Sequence, residues 1–295
     1  MIALSDDKIN TLVQSVIEAQ NAKLNIVDKK AQIEQASNRL KMIDRMITKM
    51  YLDNAEGKIS DDRLSRVVAD LEKEAIALES KIAELDVEYV SELHHLTNTK
   101  PEDICYNDPN IYRLFRELDT LGIPEFSSGV GKEILGRLDE VHFSDLVRIS
   151  GMVHGTDVWY DNGEILLAEH PFHELIGDRN DIFLTLQKYG VDRETAYAVA
   201  EIVRKGILGI CSEETIRLEK KLCRAGVPQW YIDSMKRITY LFSKAHLIAF
   251  VKLYFSLAWF KCYYPEQFYN VTLRKLKAEE LLHYTNEKLE QIVSA

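Results

Sequence analysis

A serine, a histidine and an aspartate fall within eight residues of one another in the stretch ISGMVHGTDVW, residues 149–159. They are Ser150, His154 and Asp157, the residue types of a nucleophilic triad, in which a base takes the proton of the nucleophile and a third group orients the base. A triad is defined by contacts in space, which sequence spacing does not establish. Gly151 and Gly155 in the same stretch favour the alternative that it is the terminus of a helix.

Two further pairs of residues have types that could bind a ligand. His170 and His173 form an H-x-x-H pair, but Pro171 lies between them and no third ligand is close in sequence, so we expect no metal site. Arg204 and Lys205 stand near the predicted C-terminus of a helix, where cations interact favourably with the helix dipole. The same two cations are also suited to binding a phosphate, but the residues alone favour the pairing with the helix dipole.

These residues lie in a chain of 295 residues with 46% hydrophobic residues and a formal net charge of −10. The length favours two domains. The negative charge opposes electrostatic binding to nucleic acid over the whole surface, so any such binding must be local. The four cysteines form no C-x-x-C pair, and neither a signal peptide nor a membrane span is indicated, so we expect a cytoplasmic protein.

The composition changes near residue 96, because residues 1–95 contain no proline and one glycine, Gly57. Apolar residues there recur at alternating steps of three and four, which is the pattern of a coiled-coil seam. Between the two apolar stripes, Gly57 suits a helix C-terminus and Ser60 suits an N-cap. The pattern therefore predicts two long antiparallel helices. The stripes are Ile33, Ala36, Leu40, Ile43, Ile47 and Met50, and then Leu64, Val68, Leu71, Ala75, Leu78, Ile82, Leu85 and Tyr89.

The rest of the chain is predicted to form shorter helices separated by loops, with no run of alternating strand residues. The sequence thus predicts an all-α protein: a long antiparallel coiled-coil hairpin over residues 1–95, a helical domain over 96–275 and a helical C-terminal tail over 276–295. The predicted helix limits are Ser144 to Gly151, Asp192 to Gly206, a start at Pro228, and a last long helix over 244–262.

The segment RLKMIDRMITKMYLDNAEGKISDDRLSRVVADLEKEAIALESKIAELD, residues 39–86, resembles the coiled-coil hairpin near the C-terminus of large serine recombinases. In that family the hairpin emerges from a zinc-binding domain and mediates contacts between subunits. The sequence contains neither the catalytic serine domain nor cysteines placed to hold zinc. The resemblance therefore implies helix pairing and self-association or binding of a recombinase, without recombinase chemistry.

Residues from about 96 to 275 resemble the fingers of the PolC-type alpha subunit of bacterial DNA polymerase III. Several sequence motifs carry the resemblance, and they occur in the same order as in the family. They are NDPNIYRLF (107–115), TLGIPEF (120–126), FSDLVRISGMVHGTDVW (143–159), IGDRNDI (176–182), VRKG (203–206), VPQWYIDSMKRITYLFSKAH (227–246) and AWFKCYYPEQFY (258–269). The resemblance implies the helical subdomain that closes over the incoming deoxynucleoside triphosphate.

The resemblance also implies a nucleotide-binding site with DNA, a deoxynucleoside triphosphate and its Mg²⁺ as ligands. Arg204 and Lys205 would contact the triphosphate, and Lys244 and His246 would begin the long helix that faces the pocket, with Phe242 beside the base. The remaining residues of the pocket would come from the loop that contains Ser150, His154 and Asp157.

Two departures from the family limit what this chain can do. The family transfers nucleotides with palm aspartates that hold two metal ions, and this sequence contains no Asp-x-Asp. In SKAHLIAF, residues 243–250, Leu247 and Ile248 replace small alanines of the family motif. We therefore expect no catalytic residue, no metal ligand and no bound cofactor in this chain alone, and no independent polymerisation, although the family is a DNA-directed DNA polymerase.

Two functions from different classes follow. The first is a polymerase-derived nucleotide- or DNA-binding remnant, the fingers separated from the palm and joined to a recombinase-derived hairpin, which would be half of a split polymerase if another chain carries the palm. The second is an interaction protein that associates through its coiled coil, or a mobile-element fusion without a retained polymerase-related function.

Overall fold

The computed structural model describes residues 35, 36, 38–40, 42, 43, 45–47, 49–51, 53, 54 and 57–273. Every regular element of this described part is helical, and its one β-type pairing is an isolated bridge between Thr156 and Tyr240. The prediction of an all-α fold is confirmed for these residues. The longer helices are α1 (Asp61–Thr97), α2 (Pro109–Arg116), α3 (Gly129–Leu135), α4 (Phe143–His154), α5 (Arg179–Lys188), α6 (Arg193–Arg204), α7 (Glu213–Arg224), α8 (Gln229–Arg237), α9 (Lys244–Tyr263) and α10 (Pro265–Leu273).

The described residues between 35 and 54 are helical and contact the first half of α1. Gly57 has a φ of 73°, which suits the left-handed end of a helix, and Ser60 is the N-cap of α1 without a side-chain hydrogen bond. Arg39 donates two hydrogen bonds to Glu74, at 2.7 and 2.9 Å. The coiled-coil hairpin stays a prediction, since part of its apolar stripe lies outside the described residues. The shared apolar cluster consists of Ile43, Ile47, Leu64, Val68, Leu71 and Ala75.

A second and larger core surrounds helix α9. Apolar residues are distributed around this helix, and α1, α2, α4 and α10 pack on it, while Ala245, Ala249 and Lys252 remain exposed. It is long and apolar enough to cross a membrane by length and composition, but more than half of the relevant window is buried inside the protein. Its limits, Lys244–Tyr263, agree with the predicted helix over 244–262.

The predicted limits of α4 are wrong at both ends. The N-cap is His142 instead of Ser144, because Asp145 at the third helical position accepts a hydrogen bond from the His142 backbone N–H at 2.9 Å. The helix continues through Gly151, where the missing side chain lets another loop approach. A Cβ at this position would lie 2.1 Å from the carbonyl oxygen of Gly177. Gly151 is therefore a packing residue within the helix.

The other predicted helix ends agree with the structure to within about one residue. Asp192 caps α6 by accepting a hydrogen bond from Thr195 N–H, and Gly206 follows the helix with a φ of 69°. Pro228 immediately precedes α8. The first 34 residues and the predicted tail over 276–295 lie outside the described residues.

A buried charge joins α9 to the loop after α2. The Lys261 side chain is 2% exposed, and its ammonium group donates to the Asp119 carboxylate and to the Asp119 carbonyl, both at 2.7 Å. A third hydrogen bond runs to the Leu121 carbonyl at 3.2 Å. All three donors of the ammonium group are therefore used, which is the condition under which a buried lysine remains charged.

We predict that Asp119→Asn lowers the free energy of unfolding by about 1.5–3 kcal/mol, since the buried Lys261 charge loses its counter-ion. Adding Lys261→Met to this variant should recover part of the loss because the unpaired charge is removed with it. Urea unfolding measures both effects. Asp139→Asn, at an exposed position, is the control, and strictly additive effects of the two substitutions would contradict the predicted coupling.

His94 joins the end of α1 to α9, because its ring packs against Phe260 with a centroid distance of 4.9 Å. Its Nδ1 lies 3.0 Å from the Thr99 hydroxyl. Burial lowers the pKa of His94, and the hydrogen bond to Thr99 opposes this shift only partly. The folded protein thus favours the neutral imidazole.

Because the pKa of His94 is lower in the folded state, the unfolded chain binds more protons below pH 6.5. Stability should therefore be complete above that pH and should fall as the pH drops from 6.5 towards the folded-state pKa. We predict that His94→Gln weakens this dependence, measured by urea unfolding between pH 7.5 and 5. An unchanged dependence in the variant would assign the effect to other groups.

Candidate functional site

The extended segment 238–243, between α8 and α9, binds the ends of three other helices. Its backbone groups have no sheet to pair with, and buried N–H and C=O groups require partners. The partners are Thr156, two residues after the end of α4, Arg204 at the C-terminus of α6 and Arg179 at the N-terminus of α5. The bonds run from Thr156 N–H to Tyr240 C=O (3.1 Å), from Thr239 N–H to Thr156 C=O (3.1 Å), from Leu241 N–H to Arg204 C=O (3.3 Å) and from Arg179 N–H to Phe242 C=O (3.2 Å).

Three of the predicted site residues meet in one cluster of rings beside this segment. Phe242 lies 5.3 Å from His154 and 5.8 Å from His246, measured between ring centroids. Phe250, one turn further along α9, lies 4.7 Å from His246 and 5.5 Å from His154. The structure therefore brings Phe242, His154 and His246 together, and it adds Phe250 to them.

Glu125 is part of the same cluster and was not identified from the sequence. Its side chain is 5% exposed, and its Oε1 contacts Nε2 of His154. Within the described part of the chain, its second carboxylate oxygen is buried without a hydrogen-bond partner. Glu125 follows Pro124 and has a φ of 63°, a backbone conformation that non-glycine residues rarely adopt. Glu125 belongs to the motif TLGIPEF, but nothing in the sequence indicated that it contacts His154.

Burial lowers the pKa of His246, and the charge of a protonated His154 would lower it further, while Glu125 acts in the opposite direction. The cluster thus favours an uncharged imidazole at His246. A neutral ring can face either an apolar group or a hydrogen-bonding group of a ligand.

The ring cluster opens into a groove of about 660 Å³ between α1 and α9. The two helices run in the same direction, because Ser80 and His246 line one groove while His94 contacts Phe260, fourteen residues further along each helix. The volume lies within the roughly 300–1,000 Å³ of small-molecule sites. The lining residues are Ser80, Val87, Glu88, His246, Ala249, Phe250 and Leu253.

Arg204 and Lys205 lie together at the C-terminus of α6. Both contact one carboxylate oxygen of Glu72 on α1, at 3.1 Å from Arg204 and 3.2 Å from Lys205. Arg204 also pairs with Glu201 at 3.1 Å, and Glu201 in turn binds Arg179. Burial alone would lower the pKa of Arg204, but these carboxylates raise it, so the guanidinium stays charged.

Lys244 is held at a different place, beside the N-terminus of α5. Its ammonium group lies 3.4 Å from a carboxylate oxygen of Asp178 and 3.4 Å from one of Asp181. Asp178 is buried, and burial together with the negative charge of Asp181 raises the pKa of its carboxyl group. Arg148 also binds Asp181, at 2.6 Å, so Lys244 and Arg148 together balance the two adjacent acids.

Ser150 and Asp157 do not join the ring cluster. Ser150 is fully buried, and its hydroxyl has no hydrogen-bond partner among the described residues. Asp157 accepts a hydrogen bond from the Thr239 hydroxyl at 2.8 Å and has a φ of 59°. Since His154 contacts Glu125 and Ser150 makes no hydrogen bond to it, the three residues do not form a nucleophilic triad.

The described residues contain no group of three or more His, Cys, Asp or Glu side chains that could hold a metal ion. His170 instead stacks on Trp230, with ring centroids 3.9 Å apart. In this part of the chain the four cysteines are free thiols, and three of them are exposed.

Residues 85–224 match the sequence profile of the bacterial DNA polymerase III alpha subunit finger domain. The match begins within α1 and ends at the end of α7, so it contains Arg204, Lys205, Glu125 and His154. Phe242, His246 and the whole of α9 follow it in the chain.

The chain is also similar to three curated proteins named DNA polymerase III PolC-type. The protein of Caldanaerobacter subterraneus subsp. tengcongensis is 35% identical over 215 residues, which cover 65% of this chain and 15% of the relative. That of Clostridium perfringens is 36% identical over 60% of this chain and 13% of the relative, and that of Thermotoga maritima is 38% identical over 62% and 14%.

The chain thus matches about 15% of the length of these relatives. The predicted resemblance to the PolC fingers is confirmed over residues 85–224, whereas the recombinase resemblance of residues 39–86 stays a prediction. The matched part of this chain is related to a bacterial replicative DNA polymerase.

Proposed function

We propose that the groove between α1 and α9 binds a deoxynucleoside triphosphate, with the base beside the rings and the triphosphate on Arg204 and Lys205. The observation that carries the proposal is a groove lined by His246 and Phe250 together with two cations that contact Glu72 on the same helix, α1. Glu72, which contacts both cations, precedes the groove residue Ser80 by eight residues of α1, or about 12 Å along the helix axis. A nucleoside triphosphate is long enough to span that separation.

The side chains at the two ends of the proposed site suit the two ends of a nucleotide, the triphosphate and the base. A guanidinium and an ammonium group donate charge-assisted hydrogen bonds to phosphate oxygens, and Arg204 sits in a partly buried setting where such bonds are strong. The rings of His246 and Phe250 offer faces for a base. Local cations are also the way in which a chain of net charge −10 would bind an anionic ligand.

Nucleotide transfer would require a second chain. Mg²⁺ would arrive with the triphosphate, because no cluster of carboxylates in the described residues suits a metal ion. The palm aspartates that hold metal ions in the family, and the DNA bound to them, would belong to a separate cytoplasmic protein. The present chain would bind the nucleotide and would not polymerise DNA alone.

We predict that the protein with Mg²⁺ binds a deoxynucleoside triphosphate, measured by titration calorimetry, and that Arg204→Ala/Lys205→Ala weakens binding by roughly ten- to a hundredfold. Loss of one or two charge-assisted hydrogen bonds accounts for this range. The control is Arg217→Ala/Lys220→Ala, which removes the same charge from exposed positions on α7. No heat at millimolar nucleotide, or equal affinities of the two double variants, would refute the proposed site.

A second candidate function is self-association through the predicted coiled coil. The specific observation is that Met42 and Met46 stand one helical turn apart on the segment before α1 and are 54% and 37% exposed. Their neighbours Ile43 and Ile47 face α1 instead. The segment thus has apolar residues on its outer face as well, and a second copy of the same hairpin would cover them.

We predict that the protein sediments as a dimer and that Met42→Lys/Met46→Lys sediments as a monomer, because two charges would then have to be buried between the copies. Leu184→Lys, at an exposed apolar position on α5, is the matched control and should remain dimeric. A monomeric wild-type protein at micromolar concentration would rule out this function.

A further inference from the structure

The two cations that we assign to the triphosphate are already bound by an acid from the hairpin. A single carboxylate oxygen of Glu72 lies 3.1 Å from an Arg204 guanidinium nitrogen and 3.2 Å from the Lys205 ammonium nitrogen. The three side chains are between 17% and 30% exposed, so water screens the contact only partly. One anionic oxygen bridging two cations is also the arrangement that a phosphate oxygen would adopt there.

Glu72 belongs to a different part of the chain from its two partners. It lies before residue 85, where the match to the finger domain begins, and Arg204 and Lys205 lie inside that match. It is 132 residues from Arg204 in sequence. The acid therefore comes from the predicted hairpin and the cations from the fingers.

The balance of charge around Arg204 and Lys205 shows what Glu72 contributes. Three cations, Arg179, Arg204 and Lys205, are balanced by two carboxylates, Glu201 and Glu72. Glu201 binds Arg179 and Arg204 within the finger-like part itself, so it remains if the hairpin moves. Without Glu72, Lys205 would have no carboxylate partner among these residues, Arg204 would share Glu201 with Arg179, and the group would carry a net charge of +2 that favours an anion in the place of Glu72.

The first half of α1 packs in a cluster that is separate from the main core. Its buried apolar residues, such as Leu64, Val68 and Leu71, belong to the cluster shared with the described residues between 35 and 54. Among the residues of α1 whose side chains the structure describes, those of the main core begin at Val90. Among the described contacts, the carboxylate of Glu72 is thus a polar attachment between two separately packed parts.

We propose that Glu72 occupies the phosphate position as an intramolecular competitor, so that the predicted hairpin weakens nucleotide binding while this contact is made. The proposal rests on the proposed function, because it regulates the same two cations. Binding of the triphosphate and the contact with Glu72 exclude each other. A partner that pulls the hairpin away would therefore strengthen nucleotide binding.

The test compares full-length wild-type protein with Glu72→Gln and with Asp70→Asn as the matched control. Asp70 is exposed two residues earlier on α1, and its substitution removes the same charge from the same helix. Each protein is titrated with a deoxynucleoside triphosphate and Mg²⁺, and separately with inorganic triphosphate. Urea unfolding of all three proteins confirms that they remain folded.

We expect Glu72→Gln to bind both probes about tenfold more tightly than wild type, and Asp70→Asn to bind like wild type. Equal affinities of all three proteins for both probes would overturn the masking role and leave the proposed function intact. Tighter binding of inorganic triphosphate alone would support masking of an anion site and refute a nucleotide site. Absence of binding to either probe in Glu72→Gln would overturn both proposals.

Discussion

The arrangement of the candidate site depends on how the extended segment 238–243 satisfies its backbone hydrogen bonds. A sheet would ordinarily supply the partners of an extended segment, and the described part of this chain has none. The partners come instead from the ends of α4, α5 and α6, so one short segment fixes the positions of three helices. Those same helix ends carry His154, Arg179 and Arg204. The geometry of rings and cations is thus a consequence of backbone bonding.

Charge pairing explains why an acidic chain can retain a cationic site. The site cations are each held by carboxylates, Arg204 by Glu201 and Glu72, and Lys244 by Asp178 and Asp181. Pairing keeps partly buried cations charged and offsets part of their desolvation penalty, whereas an isolated buried charge is strongly destabilising. The pairs differ in one respect. Those of Lys244 and of Arg204 with Glu201 join residues that follow residue 177 in the chain, while that with Glu72 joins Arg204 to α1.

The sequence patterns predict local structure well where one signal acts alone. Asp192 and Gly206 mark both ends of α6 because capping depends on the residue and its immediate neighbours. The prediction from Ser144 is wrong because His142, with Asp145, caps α4 instead. The prediction from Gly151 is wrong because a glycine is also used where two backbones approach closely. Contacts across the fold carry no such local signal. The partnership of His154 with Glu125 spans 29 residues and that of Arg204 with Glu72 spans 132, so only the structure identifies either acid.

Helix α1 connects the two apolar clusters of the described chain. It is one helix of 37 residues, about 55 Å long. Its first half packs on the described residues between 35 and 54, its middle lines the groove, and its last turns pack on α9 through Leu93 and His94. Along the helix, the contacts with the rest of the chain change from the carboxylate of Glu72, through the groove at Ser80, to the apolar core. The polar contact of Glu72 thus lies farthest from the apolar core that holds the C-terminal turns of the helix.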